Sequence, residues 1–400
     1  MTKKTCCYFF LTIFATGCVS DKQSSDSLPF IDVRKNYPAK EVVLTDIADI
    51  TYLHLSTKNE DYLYKGGIQD ITENTILVFD WATGSVLFFS RDGNPRSRFN
   101  RLGQGPEEYL NLPFWDGIYD EANDEVYIPA AIGIGASHIY VYSSAGEYRR
   151  KLNLPQGVNI GQMVFFDDQS LLLHDEFKLM NKTVRRIAGD HSAFSPQLND
   201  SSFILVSRID GKVLEYVEVP SPTVDLAIAA TSSSVSYTGY QRIVECADGF
   251  LLCNPENDTI YLYSKDKSLT PILRKIPLLS QSNIRVLGNC VDAGKYQFMK
   301  VSNRATGPGQ DLHEVYYMRD KETGEVFRQK FTLPDYKGKE FFIHAAIPLR
   351  YFENEYHFTL SLSELKQADK ENRLSGALKE LVATLNEMED NDVYMFVKFK

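Results

Sequence analysis

The chain is short of tryptophan, of cysteine and of positive charge: 400 residues carry two Trp, six Cys, and 43 Lys plus Arg against 53 Asp plus Glu. A net charge of −10 leaves no basic surface for neutralising phosphates, which excludes a general nucleic-acid binder. Six cysteines over this length exclude a disulfide-built scaffold. Catalytic and metal signatures are absent too: there is no Gly-x-Ser-x-Gly, no His-Glu-x-x-His, no Cys-x-x-Cys and no EF-hand spacing. No cofactor is therefore expected, and no catalytic residue is assigned. What the chain does have is 43% hydrophobic residues with 23 Tyr and 24 Phe, enough for a large globular core.

The first residues read as an address. Lys3 and Lys4 precede an apolar run from Cys6 to Ala15, the pattern of a secretory signal, about half the ~20 residues needed to cross a bilayer. Ala15-Thr16-Gly17-Cys18 resembles the bacterial lipobox, so residues 1–17 are expected to be a lipoprotein signal and Cys18 the acylated residue. Asp21 to Ser27 is small and polar, so residues 18–29 should form a flexible tether and residues 30–400 the folded body. The expected location is the cell envelope, the outer membrane by preference, with the membrane as partner through the lipid on Cys18.

From residue 42 to about 350 helical periodicity is almost missing. Short runs of Val, Ile, Tyr and Phe alternate instead with Gly, Asn and Asp. Thr75–Asp80, a turn, Ser85–Ser90 and Asp92-Gly93 form one unit, and its cadence returns at Glu125–Pro129 with His138–Ser143, and at Gly249–Asn254 with Asp258–Ser264. Weaker copies lie at Ser170–His174, Phe203–Ser207 and Tyr296–Lys300. A beat of roughly 50 to 60 residues over the body predicts an all-β fold, a six-bladed β-propeller of four-stranded antiparallel blades. Asp392–Lys400 is a strong strand placed to close the ring.

Two details complete the pattern. Ser361–Glu364 resembles a capping box, and Leu374, Leu378, Leu381, Val382 and Leu385 share one helical face, which predicts an amphipathic helix over about 373–388, packed on the rim before the closing strand. Cys246, Cys253 and Cys290 are an odd set, so at most one disulfide can form; a Cys246–Cys253 bridge needs their two short strands to pair closely.

Phe99 to Tyr109 contains Gly103-Gln104-Gly105-Pro106-Glu107-Glu108-Tyr109, which resembles the signature of six-bladed β-propeller lipoproteins of Bacteroides-type bacteria. Leu44–Leu55 resembles that family's opening strand, and the blade repeat is similar to NHL-type repeats. The resemblance implies fold and compartment, with no chemistry attached. Read from the residues, Gly103 and Gly105 provide backbone freedom and Pro106 fixes a turn, so Gly103, Gln104, Gly105, Pro106, Glu108 and Tyr109 form a tight, structural loop between blades. Arg304–Gln310 echoes it.

The seven histidines are scattered, and His174-Asp175-Glu176 is the one compact cluster; a solvated turn is its default reading, a ligand set or acid–base pair the sharper one. The acidic turns around Asp120, Asn123, Asp124 and Glu125, and around Asn254, Glu256, Asn257 and Asp258, carry hard oxygen ligands without a defined calcium pattern. The expectation is a non-catalytic binder of a glycan or an envelope protein. A carbohydrate-active enzyme, a polysaccharide lyase or hydrolase, is the alternative.

Overall fold

Both faces of each predicted strand pair are apolar, and the structure buries both. In this computed structural model the described residues are 28–57, 60–113, 117–129, 138–155, 158, 160–175, 201–219, 228–230, 235–237, 242–253, 257–278, 285–303, 314–343 and 355–400. They form six blades in a ring. Blade I comprises Gly66–Ile71, Thr75–Asp80, Ser85–Ser90 and Pro95–Asn100, all antiparallel and in sequential order. Blades II (118–153), III (160–217), IV (243–276) and V (285–333) repeat that order, and blade VI shows three strands among the described residues. Ile76, Val78, Phe79 and Val86 in blade I are fully buried, as central strands packed on two sides must be.

The ring closes with the C-terminal strand Val393–Phe399, which lies between Glu355–Leu360 and the N-terminal strand Ala48–His54. The chain ahead of that strand does more. Phe30–Asp32 adds in parallel to the outer strand Leu269–Ile276 of blade IV, and Ala39–Val43 adds in parallel to Val326–Leu333 of blade V. Blades IV and V thus have their outer edges covered by the chain's own N-terminal segment, while the outer strands of blades I and II carry Arg96, Arg98, Arg149, Arg150 and Lys151, charges that discourage edge pairing.

The Asp-Gly beat has a structural meaning. Between third and fourth strands the chain turns through Gly93, Gly146, Gly211, Lys267 and Gly324, each with φ between 67° and 84°. The turns dock on the preceding blade: Ser56 N–H donates to Gly93 O at 2.9 Å and Asn153 N–H to Asp210 O at 3.1 Å. A Cβ at Gly146 would meet Phe99 at 2.5 Å, so this turn needs glycine for space as well as for conformation.

One expectation is refined and one open question is answered. The helix expected over 373–388 is present but shorter, Gly376–Ala383, and a second helix, Leu362–Lys370, precedes it; together they bury Leu365, Ala368, Leu378 and Val382 against blades V and VI. Between them Leu374 is held in a bridge to Tyr336, which breaks the helical run. Ser361 makes no side-chain cap; its hydroxyl pairs with Ser363 Oγ at 3.0 Å. The Cys246–Cys253 bridge is not formed. The strands Ile243–Cys246 and Gly249–Leu252 do pair, but in a register that sets Cys246 opposite Gly249, and Cys253 N–H bonds Arg242 O. Cys246, Cys253 and Cys290 are free, buried thiols.

Candidate ligand groove

The residues singled out in the sequence are brought into the framework of the ring, not together into a site. His174 lies on Ser170–Asp175, fully buried against Phe203 at 5.2 Å between ring centroids, and neither ring nitrogen has a hydrogen-bond partner. Burial, helped by the charge of Arg242, pushes its pKa well below the usual histidine value. The solvated turn expected there is therefore corrected to the end of a buried strand. Asp175 follows on the same strand, so its side chain takes the opposite face, and its N–H donates to Ser202 O at 2.7 Å. Glu176, Cys18 and the Arg304–Gln310 echo lie outside the described residues.

The loop of Gly103 to Tyr109 is a clasp between blades I and II. Gly103 N–H donates to Tyr109 O at 3.0 Å and Gly105 N–H to Glu108 Oε2 at 2.8 Å. Neither glycine has positive φ, so conformational freedom is not why they are there; a Cβ at Gly103 would sit 1.9 Å from Glu108 Oε2, so the requirement is space for that carboxylate. Gln104 and Pro106 carry the turn, and Tyr109 is fully buried beneath it.

The acidic turn of blade II is internally neutralised. Asp120 pairs with Arg208, a guanidinium stacked 4.5 Å over Phe165, and Glu125 pairs with Arg150 and accepts from Tyr127 Oη at 2.7 Å. Burial alone would raise the Asp120 carboxyl; hydrogen bonds from Asn123 and Arg208 outweigh it and hold the group below its ordinary range. Asp124 accepts from Tyr119 Oη and Ser144 N–H, both at 3.0 Å. In the other acidic turn Asn254 and Glu256 lie outside the described residues, and Asp258 pairs at 2.8 Å with Lys275, itself fully buried. Among the described residues no group of three or more His, Cys, Asp and Glu side chains is placed to hold a metal.

A concave feature with mixed chemistry lies elsewhere among the described residues, between blades V and VI. In blade V the strand Glu314–Asp320 pairs with Val326–Leu333 only as far as Arg328; beyond it the hairpin strand Tyr336–Phe341 takes over, with Phe331 opposite Phe341 and Leu333 opposite Tyr336. The helix Leu362–Lys370 faces this hairpin across a groove of about 170 Å³. Its floor is aromatic: Phe341 packs edge-on to Tyr336 and to Phe358, at 6.2 and 6.1 Å, and Phe342 stacks on Tyr316 at 4.6 Å and 25°. Phe342 and Phe358 are half-buried and line the groove. Its rim is polar. Lys339 Nζ bonds Glu364 Oε2 at 2.9 Å, Glu340 reaches Lys330 at 3.5 Å, and Thr359 and Ser361 add hydroxyls.

Of these groove residues only Ser361 and Glu364 stood out in the sequence, as a helix cap and not as part of a groove. The usable signal was Pro334-Asp335, a turn dipeptide, followed by Lys339-Glu340-Phe341-Phe342, where two adjacent aromatics break strand alternation and one must face outward.

The comparisons bear on the fold. Residues 20–193 match a family described as "6-bladed beta-propeller". Among solved structures, a Bacteroides fragilis protein inferred to be exported superposes with a TM-score of 0.60 at 16% identity, covering 91% of this chain and 98% of that one. Virginiamycin B lyase of Staphylococcus aureus gives 0.32 at 11% identity over 70% of this chain and 97% of its own, a likeness too distant to argue from. Among curated proteins, none matches. The chain is a six-bladed β-propeller, similar over residues 20–193 to the family of that description.

Proposed function

We propose that this protein is an exported, lipid-anchored propeller of the cell envelope that binds a glycan without transforming it, and that the groove between blades V and VI receives a sugar ring. The observation that carries the reading is the pairing of an aromatic floor, Phe342 and Phe358, with a charged and hydroxylated rim. Pyranose rings have an apolar C–H face that stacks on aromatics and an equatorial belt of hydroxyls that needs donors and acceptors. Lys339 and Glu364 supply both kinds, already held in one geometry by their mutual ion pair. The same pairing argues for binding over catalysis: Glu340 and Glu364 are half-exposed, each with a lysine partner, whereas a catalytic acid is kept protonated by an apolar, unpaired setting.

The test is titration calorimetry of the chain from residue 19 onward against a panel of polysaccharides, with product analysis on every binder. The expected result is saturable binding without new reducing ends or unsaturated sugars, weakened about tenfold by Phe342→Ala, the loss of one stacking contact. Binding that ignores Phe342→Ala and Phe358→Ala would move the site away from the groove. Product formation would establish the alternative, a carbohydrate-active enzyme.

A further inference from the structure

The lipid on Cys18, if the chain is acylated as proposed, restrains the folded body at one specific place. Ten residues, 18–27, separate the acylated position from Leu28, and a chain of that length cannot reach further than about 35 Å. They lead into Leu28 and Pro29, and Pro29 O is already fixed to the outer strand of blade IV by the Arg274 N–H at 2.8 Å. The attachment point is thus the rim of the ring, not either of its ends. At that point the strand Phe30–Asp32 alternates: Ile31 is fully buried in the core of blades IV and V, and Phe30, on the opposite face, is 48% exposed. Phe30 stands opposite Arg274 in register, an exposed cation. Arg34 and Lys35 follow, also exposed, and the acid among them, Asp32, is neutralised by a two-pronged contact from Arg34, Nε to Oδ1 and Nη2 to Oδ2, both 2.9 Å. In a chain of net charge −10, the place next to the tether carries an exposed aromatic side chain, an exposed arginine opposite it in register and an exposed lysine five residues on.

We infer that the rim of blade IV, through Phe30, Lys35 and Arg274, rests on the bilayer that holds the acyl chains, so that the ring stands edge-on to the membrane. An aromatic side chain at headgroup depth with flanking cations is the composition that a surface of anionic lipid accepts, and a short tether removes most of the entropic cost of making the contact. The inference rests on the lipidation reading above. Its consequence is that both ends of the ring, and the groove between blades V and VI, remain open to the surroundings.

The experiment uses full-length protein matured in a bacterial host and reconstituted in vesicles of phosphatidylethanolamine and phosphatidylglycerol, with brominated acyl chains as quenchers. Phe30→Trp is compared with Leu102→Trp, an exposed site on blade I across the ring, each against the parent chain with its two tryptophans. The added emission at position 30 should shift to the blue and be lost to the bromine, the emission at 102 should not, and Lys35→Glu with Arg274→Glu should restore the signal at 30 while the protein still sediments with the vesicles. Sedimentation with no quenching at 30, or equal quenching at both sites, overturns the edge-on placement alone. A mature mass without acyl chains, or no sedimentation, overturns the lipidation reading and the placement with it. Quenching that survives the charge reversal would overturn the role given to Lys35 and Arg274.

Discussion

Tyr109 Oη donates to Gly84 O at 2.7 Å and accepts from Arg101 N–H at 3.0 Å, so one phenol joins the loop after blade I to the turn within it. The ring of Tyr109 meets Tyr142 of blade II edge-on at 5.9 Å, and Tyr142 Oη in turn donates to Glu107 O at 2.8 Å. Tyr109→Phe keeps the packing and strands a buried carbonyl and a part-buried N–H. The expected cost is about 1–3 kcal/mol, seen as a lower urea midpoint with an unchanged slope.

Gly103 and Glu108 form a pair of the opposite kind, one residue absent so that the other fits. Gly103→Ala should destabilise by about 1 kcal/mol, because a methyl group would push the Glu108 carboxylate, the movable end of its side chain, off the Gly105 N–H. In a Glu108→Ala background the same substitution should cost much less. A double-mutant cycle with no coupling would show that the glycine is required for some other reason.

His357 predicts an acid-sensitive ring closure. It is buried in blade VI, stacked 5.7 Å from Tyr394 of the closing strand, and burial first and the Arg91 charge second depress its pKa to about 4. Its folded pKa lies below the ordinary value near 6.5, so the unfolded chain binds the extra proton between those values. Stability should therefore be intact above about pH 6.5 and fall as pH drops toward 4, by up to about 3 kcal/mol from this group. His357→Gln should flatten that window in urea titrations at several pH values. His174, also pushed well down, adds a slope of the same sign.

Lys275, fully buried, pairs with the half-buried Asp258, and its Nζ also donates to Pro277 O at 2.6 Å. Removing the acid leaves an ammonium without its counter-ion, so Asp258→Ala should cost about 3–5 kcal/mol, whereas Lys275→Met removes the charge that needed the partner and should cost less. Thermal unfolding of the two variants gives the ordering.

The three body thiols should be silent in the native state. Burial raises Cys246 to about 11 and Cys253 to about 12, and Cys290 further, so the thiolate is scarce and unreachable. A Cys18→Ser chain starting at residue 18 should give no thiol reaction with an aromatic disulfide reagent until denatured, then three equivalents.

Much of the fold was legible because a blade buries both of its faces. A strand such as Thr75–Asp80 then reads as a continuous apolar run, and the tight turns between them demand Gly or Asp. The closing strand was legible for the same reason. The N-terminal additions were not: Phe30–Asp32 is three residues long and pairs with a partner over two hundred positions away, and nothing local encodes that. His174 misled because His-Asp-Glu has the composition of a turn, yet the strand runs through it to Asp175. The groove escaped notice because a phenylalanine facing solvent and one facing the core are the same letter; only the takeover of Val326–Leu333 by the hairpin decides that Phe341 is buried and Phe342 is half open.

The covering of blades IV and V by residues 30–43 also sets an order of events. Those residues are synthesised first, but their partners, 274–276 and 328–332, emerge only when most of the chain has been made, and the strand 48–54 waits for 393–399. The beginning of the body must stay unpaired until the end arrives, and closing loops of that length is slow. Under the proposed export, this delay is compatible with crossing a membrane unfolded, since no stable ring can form while the last strand is still on the far side.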